Sequence, residues 1–191
     1  MGTKFSTRVW VSVVGIASIF FGSKGYADTV ISVADFGLKP DTRENAVAYV
    51  QKAIEACRGK EPVTLVFPEG RYDFWPQYAH EKNYYETNTY DVFPKRLAML
   101  FEGLHNITVD GSGSQFIMHD RIQPITVENC DGVTLKNFSI DWDIPLTAQA
   151  RVTKVGSDFF EIEINVLESP YIIEDGKLVF VGEGWKSALG S

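Results

Sequence analysis

Near the middle of the chain, Phe138, Ile140, Trp142 and Ile144 alternate with Ser139, Asp141 and Asp143. Read as a strand, this run sends both aspartates out from the face opposite the apolar set. Side chains two residues apart on one face stand roughly 7 Å apart at the backbone. Inverting glycoside hydrolysis wants its acid and base about 6.5–9.5 Å apart, with room for a water between them. The spacing of Asp141 and Asp143 permits that chemistry. Either carboxylate alone also reads as a solvated group, a turn acceptor or a calcium contact.

A second candidate surface lies between Asp73 and Asp91, a polar stretch carrying Phe74, Trp75, Tyr78, Tyr84, Tyr85 and Tyr90. A loop this long and aromatic is unusual and often functional. Aromatic faces stack on the apolar face of a pyranose, so Trp75 and Tyr85 are candidate substrate-binding residues. The alternative is that these rings pack on the outside of the fold. His80, His105 and His119 show no metal-ligand spacing, and His119-Asp120-Arg121 reads as a polar corner, either lining a cleft or exposed. No phosphate-cradling glycine loop, nucleophile elbow or cysteine zinc pattern is present. Redox, kinase and serine-hydrolase chemistry have no residues to stand on, and no cofactor or metal is expected.

The elements that would position these residues are short strands. Phe101-Glu102-Gly103-Leu104-His105-Asn106-Ile107-Thr108-Val109 aligns with Val127-Glu128-Asn129-Cys130-Asp131-Gly132-Val133-Thr134-Leu135 at a fixed offset of 26 residues. Each copy runs apolar strand, Gly/Asn/Asp turn, then apolar-Thr-apolar. A unit of this size cannot bury its own inner face and must stack on a neighbour. Asn106 and Asn137 head glycosylation-type triplets, but asparagine at such corners also tolerates a left-handed backbone. Upstream, Val30–Val33 and Val63–Phe67 read as strands. Between them, Asp41 and Glu44 form a capping-box pattern ahead of an amphipathic helix with Ala46, Val47, Val50, Ala53, Ile54 and Cys57 on one face, ended by Arg58-Gly59. Such a helix would cover the open end of a stacked coil. Beyond Trp142, residues 149–155, 159–164 and 177–181 read as antiparallel strands joined by Gly156-Ser157-Asp158 and Glu174-Asp175-Gly176.

The first 27 residues read as a leader: Lys4 and Arg8, an apolar run from Val9 to Phe21, then small residues at Gly25-Tyr26-Ala27. The run is too short for a comfortable membrane span. The chain is therefore expected to be exported, periplasmic or secreted. Without those residues, three cations and no acid are lost, leaving 15 basic against 25 acidic residues and moving net charge from −7 to −10. That charge argues against nucleic acid and anionic membrane as partners and favours a neutral glycan over a polyanionic one. Cys57 and Cys130 could pair in an oxidising compartment, but both fall on apolar faces and read as separate buried thiols.

Val33-Ala34-Asp35-Phe36-Gly37, the helix from Asn45 to Ala56, and Phe67-Pro68-Glu69-Gly70-Arg71-Tyr72 resemble the amino-terminal part of the pectate-lyase-like right-handed β-helix proteins. More narrowly, Tyr84-Tyr85-Glu86-Thr87-Asn88-Thr89, Asn106-Ile107-Thr108-Val109-Asp110-Gly111-Ser112-Gly113-Ser114 and the run Val133–Trp142 resemble glycoside hydrolase family 110, the exported bacterial α-1,3-galactosidases. The resemblance implies an all-β chain: a leader over 1–27, a capping helix and first parallel β-helix turns over 28–144, and the start of an inserted antiparallel β module over 145–191. It implies an inverting exo-hydrolase that removes terminal α-1,3-linked galactose from blood-group B and linear α-galactosyl glycans. Family members are longer, and their catalytic carboxylates are expected beyond Ser191, so this chain reads as an amino-terminal portion. Asp141 and Asp143 remain candidates for a supporting part. The alternatives are a lyase or polygalacturonase on the same scaffold, or a non-catalytic glycan-binding fragment.

Overall fold

The computed structural model describes residues 29–83 and 94–188. The leader and Tyr85 lie outside them. Strand β1 (Thr29–Ser32) runs into a 3-10 turn (Val33–Phe36), whose first amides are met by Ser32 Oγ and which Gly37 ends at φ +92°. Helix α1 (Val47–Cys57) follows, then β2 (Val63–Val66), β3 (Arg71–Phe74), β4 (His80–Lys82), β5 (Lys95–Glu102), β6 (His105–Met118), β7 (Gln123–Glu128) and β8 (Asp131–Trp142). The distal part contains β9 (Arg151–Val155), β10 (Phe160–Glu163), β11 (Tyr171–Glu174), β12 (Lys177–Gly182) and β13 (Trp185–Ala188).

The 26-residue offset is a pairing register. Strand β5 pairs in parallel with β7, setting Phe101 beside Val127, and β6 pairs in parallel with β8, setting Ile107 beside Val133 and Val109 beside Leu135. Further in, β1, β2 and β6 continue the same sheet, so Ile31, Leu65, Val109 and Leu135 form one ladder. A second ladder runs Tyr72, Phe116, Ile140. The first residues of each ladder are buried, whereas Leu135 and Ile140 on the outermost strand are about two-fifths exposed, at 40% and 38%. Between Asp110 and Ser114 the register slips, so that Ser114 faces Phe138. The chain turns here through Ser112 at φ +50° and Gly113 at φ +90°. Asp110 Oδ1 holds the turn by accepting from the Ser112 N–H at 2.9 Å and from Asn137 Nδ2 at 3.0 Å. Asn106 and Asn137 sit at positive φ, the corner role expected of them, and Asn129 does so as well.

The core is the space enclosed by these ladders and α1. Phe116 sits at its centre, with ring centroids 4.7 Å from Phe67 and 4.7 Å from Phe138. Val47, Val50, Ala53, Ile54 and Cys57 bury one face of α1 against it. Both cysteines are free thiols. Cys57 is fully buried, which pushes its thiol up to about 11. Cys130 packs against the core edge, its Sγ 3.4 Å from the Leu104 N–H, its partner in the repeat.

Two local expectations are corrected. The Asp41–Glu44 capping box does not form: α1 begins at Val47, whose N–H is met by Asn45 Oδ1 at 3.1 Å. Asp41, at φ +60°, instead exchanges bonds with Arg71, its Oδ1 accepting the Arg71 N–H and its own N–H donating to the Arg71 carbonyl, both at 2.9 Å. These bonds tie the chain to the start of β3 and satisfy three backbone groups, the Arg71 N–H and carbonyl and the Asp41 N–H. The stretch from Asp73 is not one loop either. Asp73 and Phe74 complete β3 inside the core, and β4 pairs antiparallel with β5. Sheets among the described residues are therefore mixed and do not close. The described residues are mostly strands with one α-helix, as expected; the continuous coil of a β-helix goes beyond these pairings.

Candidate functional site

Residues from four separated segments meet at one end of the second ladder. Arg71 and Asp73 share a face of β3 two residues apart, and Arg71 Nε lies 3.0 Å from both Asp73 oxygens. Asp73 is 1% exposed. A carboxylate so placed is costly unless fully paired. Its Oδ1 also meets His119 Nε2 at 2.9 Å. Burial alone would raise the Asp73 carboxyl; the hydrogen bonds from Arg71 and His119, reinforced by their charges, outweigh it and hold the group below the usual range. The bond to Asp73 pushes the Arg71 guanidinium up in turn.

His119 follows β6 and stays in line because its N–H donates to the Phe74 carbonyl at 2.9 Å. Its ring lies flat on Trp75, centroids 3.8 Å apart and planes 8° from parallel. Nδ1 faces Glu183 Oε1 at 2.8 Å. Each ring nitrogen thus faces a carboxylate oxygen. Glu183 comes from the turn between β12 and β13, and its Oε2 accepts the Asp120 N–H at 3.1 Å. Asp143 follows β8, anchored through its N–H to the Met118 carbonyl at 3.1 Å, and its Oδ1 accepts from Arg71 Nη2 at 2.7 Å.

The two sequence candidates separate here. Asp143 enters the ion-pair network. Asp141 is exposed, and its Oδ1 accepts the N–H of the next residue, Trp142, at 2.8 Å. Trp75 has one ring face occupied by His119. The network's other members, Arg71, Asp73 and Glu183, were not singled out from the sequence. The alternation Arg71-Tyr72-Asp73 does carry a signal for the first two, since a strand puts them on one face. Nothing near Glu183 marks it, because its partner lies 64 residues away.

The network runs Asp143, Arg71, Asp73, His119, Glu183. Arg71 faces two of the three carboxylates, and the ring nitrogens of His119 take up Asp73 and Glu183, which fixes the corner. His119, Asp143 and Glu183 are the group among the described residues whose ligand atoms come close enough to hold a metal, within 4.8 Å of one another. Their donor atoms are turned to each other and to Arg71, an arrangement made for hydrogen bonds rather than for a cation.

A family model described as GLAA-B beta-barrel domain I matches residues 148–191, the antiparallel strands. Over 85% of its length the chain is 62% identical to a Bacteroides thetaiotaomicron protein named alpha-1,3-galactosidase B, covering 26% of that protein. It is 36% identical to an alpha-1,3-galactosidase A of Shewanella woodyi over 83% of this chain and 26% of the relative. It is also 36% identical to an alpha-1,3-galactosidase B of Phocaeicola vulgatus over 94% of this chain and 29% of the relative. The chain spans about a quarter of the length of these curated relatives.

Proposed function

We infer, for a chain that is homologous to the α-1,3-galactosidases and consistent with an amino-terminal portion of that family, that the whole protein hydrolyses terminal α-1,3-linked galactose. The observation that carries this is the 62% identity, sustained over 85% of the chain, to a relative of that name. The substrate would be a neutral, galactose-terminated glycan of blood-group B or linear α-galactosyl type. The reaction would be a single displacement, one carboxylic acid protonating the glycosidic oxygen while a carboxylate activates water on the opposite face.

On this reading the parallel strands are the first turns of a β-helix, and α1 covers their open end. The antiparallel strands belong to an inserted module whose turn is clamped to the coil through Glu183. Asp143 has a positioning part, holding Arg71 at the corner. Asp141, exposed and bound only to its neighbour's amide among the described residues, is the carboxylate left to face a ligand. The protein is exported to the periplasm or beyond, without nucleic-acid or membrane partners.

The test is the chain with a Galα1-3Gal oligosaccharide, followed by NMR of the anomeric protons. Early β-galactose identifies an inverting galactosidase with its acid and base inside this chain. Release only by a longer form places the catalytic pair outside it. No release by either form sinks the hydrolase reading.

A further inference from the structure

Among the six aromatic residues that mark the stretch from Asp73 to Asp91, Tyr78 differs from its described neighbours. Phe74 is buried, and Trp75 is stacked on His119, whereas Tyr78 is 74% exposed. Its backbone sits at φ +70°, a region that bulky residues avoid. The conformation is imposed from outside. Gln51 Nε2 donates to the Tyr78 carbonyl at 2.8 Å, and Asn45 Nδ2 donates to the Gln77 carbonyl at 2.8 Å. Tyr78 lines a groove of about 390 Å³ together with Glu44, Asn45, Ala48, Tyr49 and Lys52. Strained backbone that displays an aromatic ring to solvent is a pointer to function.

The lining has a definite chemistry. Tyr49 packs against the core at its base and forms a firm wall, and Tyr78 is the open face. Asn45 is spent on backbone groups of Val47, Trp75 and Gln77. Glu44 and Lys52 are exposed, and their side chains make no hydrogen bond or ion pair among the described residues. One acceptor and one donor of opposite charge leave the groove neutral in sum. Such a surface suits an uncharged polyol with one apolar face: C–H groups against a tyrosine ring, hydroxyls to the carboxylate and the ammonium.

We propose that Tyr78 and Tyr49, with Glu44 and Lys52, form a surface subsite that binds a neutral hexopyranose unit of an oligosaccharide. The subsite uses none of the residues in the Asp73–His119–Glu183 network and does not rest on the hydrolase reading. Its role would be to hold a glycan on the protein rather than to cleave it.

The test is saturation-transfer NMR on the full chain with methyl α-galactopyranoside, methyl α-glucopyranoside and Galα1-3Gal. Wild type should bind at least one of them with a Kd in the millimolar range, as expected of a single open stacking site. Tyr78→Ala should weaken that binding at least tenfold, and Tyr78→Trp should retain it. Tyr78→Gly should lose it while raising Tm, because glycine accepts the positive φ. Binding unchanged in Tyr78→Ala, or no transfer to any of the three sugars at concentrations on the order of 10 mM, overturns the proposal. Concentration-dependent dimerisation lost in Tyr78→Ala, without sugar binding, would assign the ring to self-association and overturn it too. Loss of hydrolysis in a longer form with this binding intact bears on the hydrolase reading alone.

Discussion

Glu183 grips two consecutive residues after β6 at once, its Oε1 2.8 Å from His119 Nδ1 and its Oε2 3.1 Å from the Asp120 amide. That double contact joins the antiparallel strands to the parallel ladders. Glu183→Gln keeps the size but removes the charge, so one of the two contacts becomes a weaker neutral bond and the other can be lost. The expected cost is about 1 kcal/mol. Hydrogen exchange at the Asp120 amide should quicken, with little change at the Val109 and Phe116 amides in the ladders. Equal quickening throughout would mean that the contact is not a local clamp.

The residue after it has a steric role. A Cβ built on Gly184 would lie 2.4 Å from Asp120 Oδ2, and the backbone there is at φ +80°. Gly176, at φ +75°, has open space around it. Gly184→Ala should therefore cost more than Gly176→Ala, which bears only the backbone term of about 1 kcal/mol. Urea denaturation of the two variants compares them directly. Equal costs would show that the approach to Asp120 does not constrain the turn.

Acid should act through Asp73. Its carboxyl is held below its unfolded value of about 3.9, so the stabilisation it brings is complete above that pH and is lost as pH falls through the lower folded value. Asp73→Asn leaves Arg71 and His119 facing a neutral amide and should cost several kcal/mol, roughly 3–5, at neutral pH. Below about pH 4 the margin of the wild type over Asp73→Asn should shrink. A margin constant down to about pH 2 would remove Asp73 from the acid limb.

Thiol chemistry reports on the core. Cys57, raised to about 11 by burial, has almost no thiolate at pH 8 in the folded chain. Iodoacetamide should leave it unmodified under native conditions and alkylate it in urea. Native labelling at Cys57 would show that α1 opens readily.

Several parts of this architecture are written locally. The pairing of Phe101 with Val127 and of Val109 with Leu135 follows from an apolar period of 26 residues, because parallel neighbours must present matching faces. The buried face of α1 follows from the spacing Val47, Val50, Ala53, Ile54, Cys57. The turns at Gly156 and Gly176 announce the antiparallel strands on either side. Where local reading went astray, a distant partner was involved. Asp41 has the chemistry of a helix cap, yet Arg71, 30 residues on, takes its carboxylate.

The candidate site divides the same way. Strands, corners and the alternation that makes Asp141 and Asp143 chemically interesting are legible in the chain, since these depend on side-chain period and turn chemistry within a few residues. What those groups meet is set by the folded arrangement. Asp143 finds Arg71 across 72 positions, and His119 finds Asp73 across 46 and Glu183 across 64. Charges pair through space, and a short-range pattern carries no record of which distant residue the stacking of strands will bring alongside.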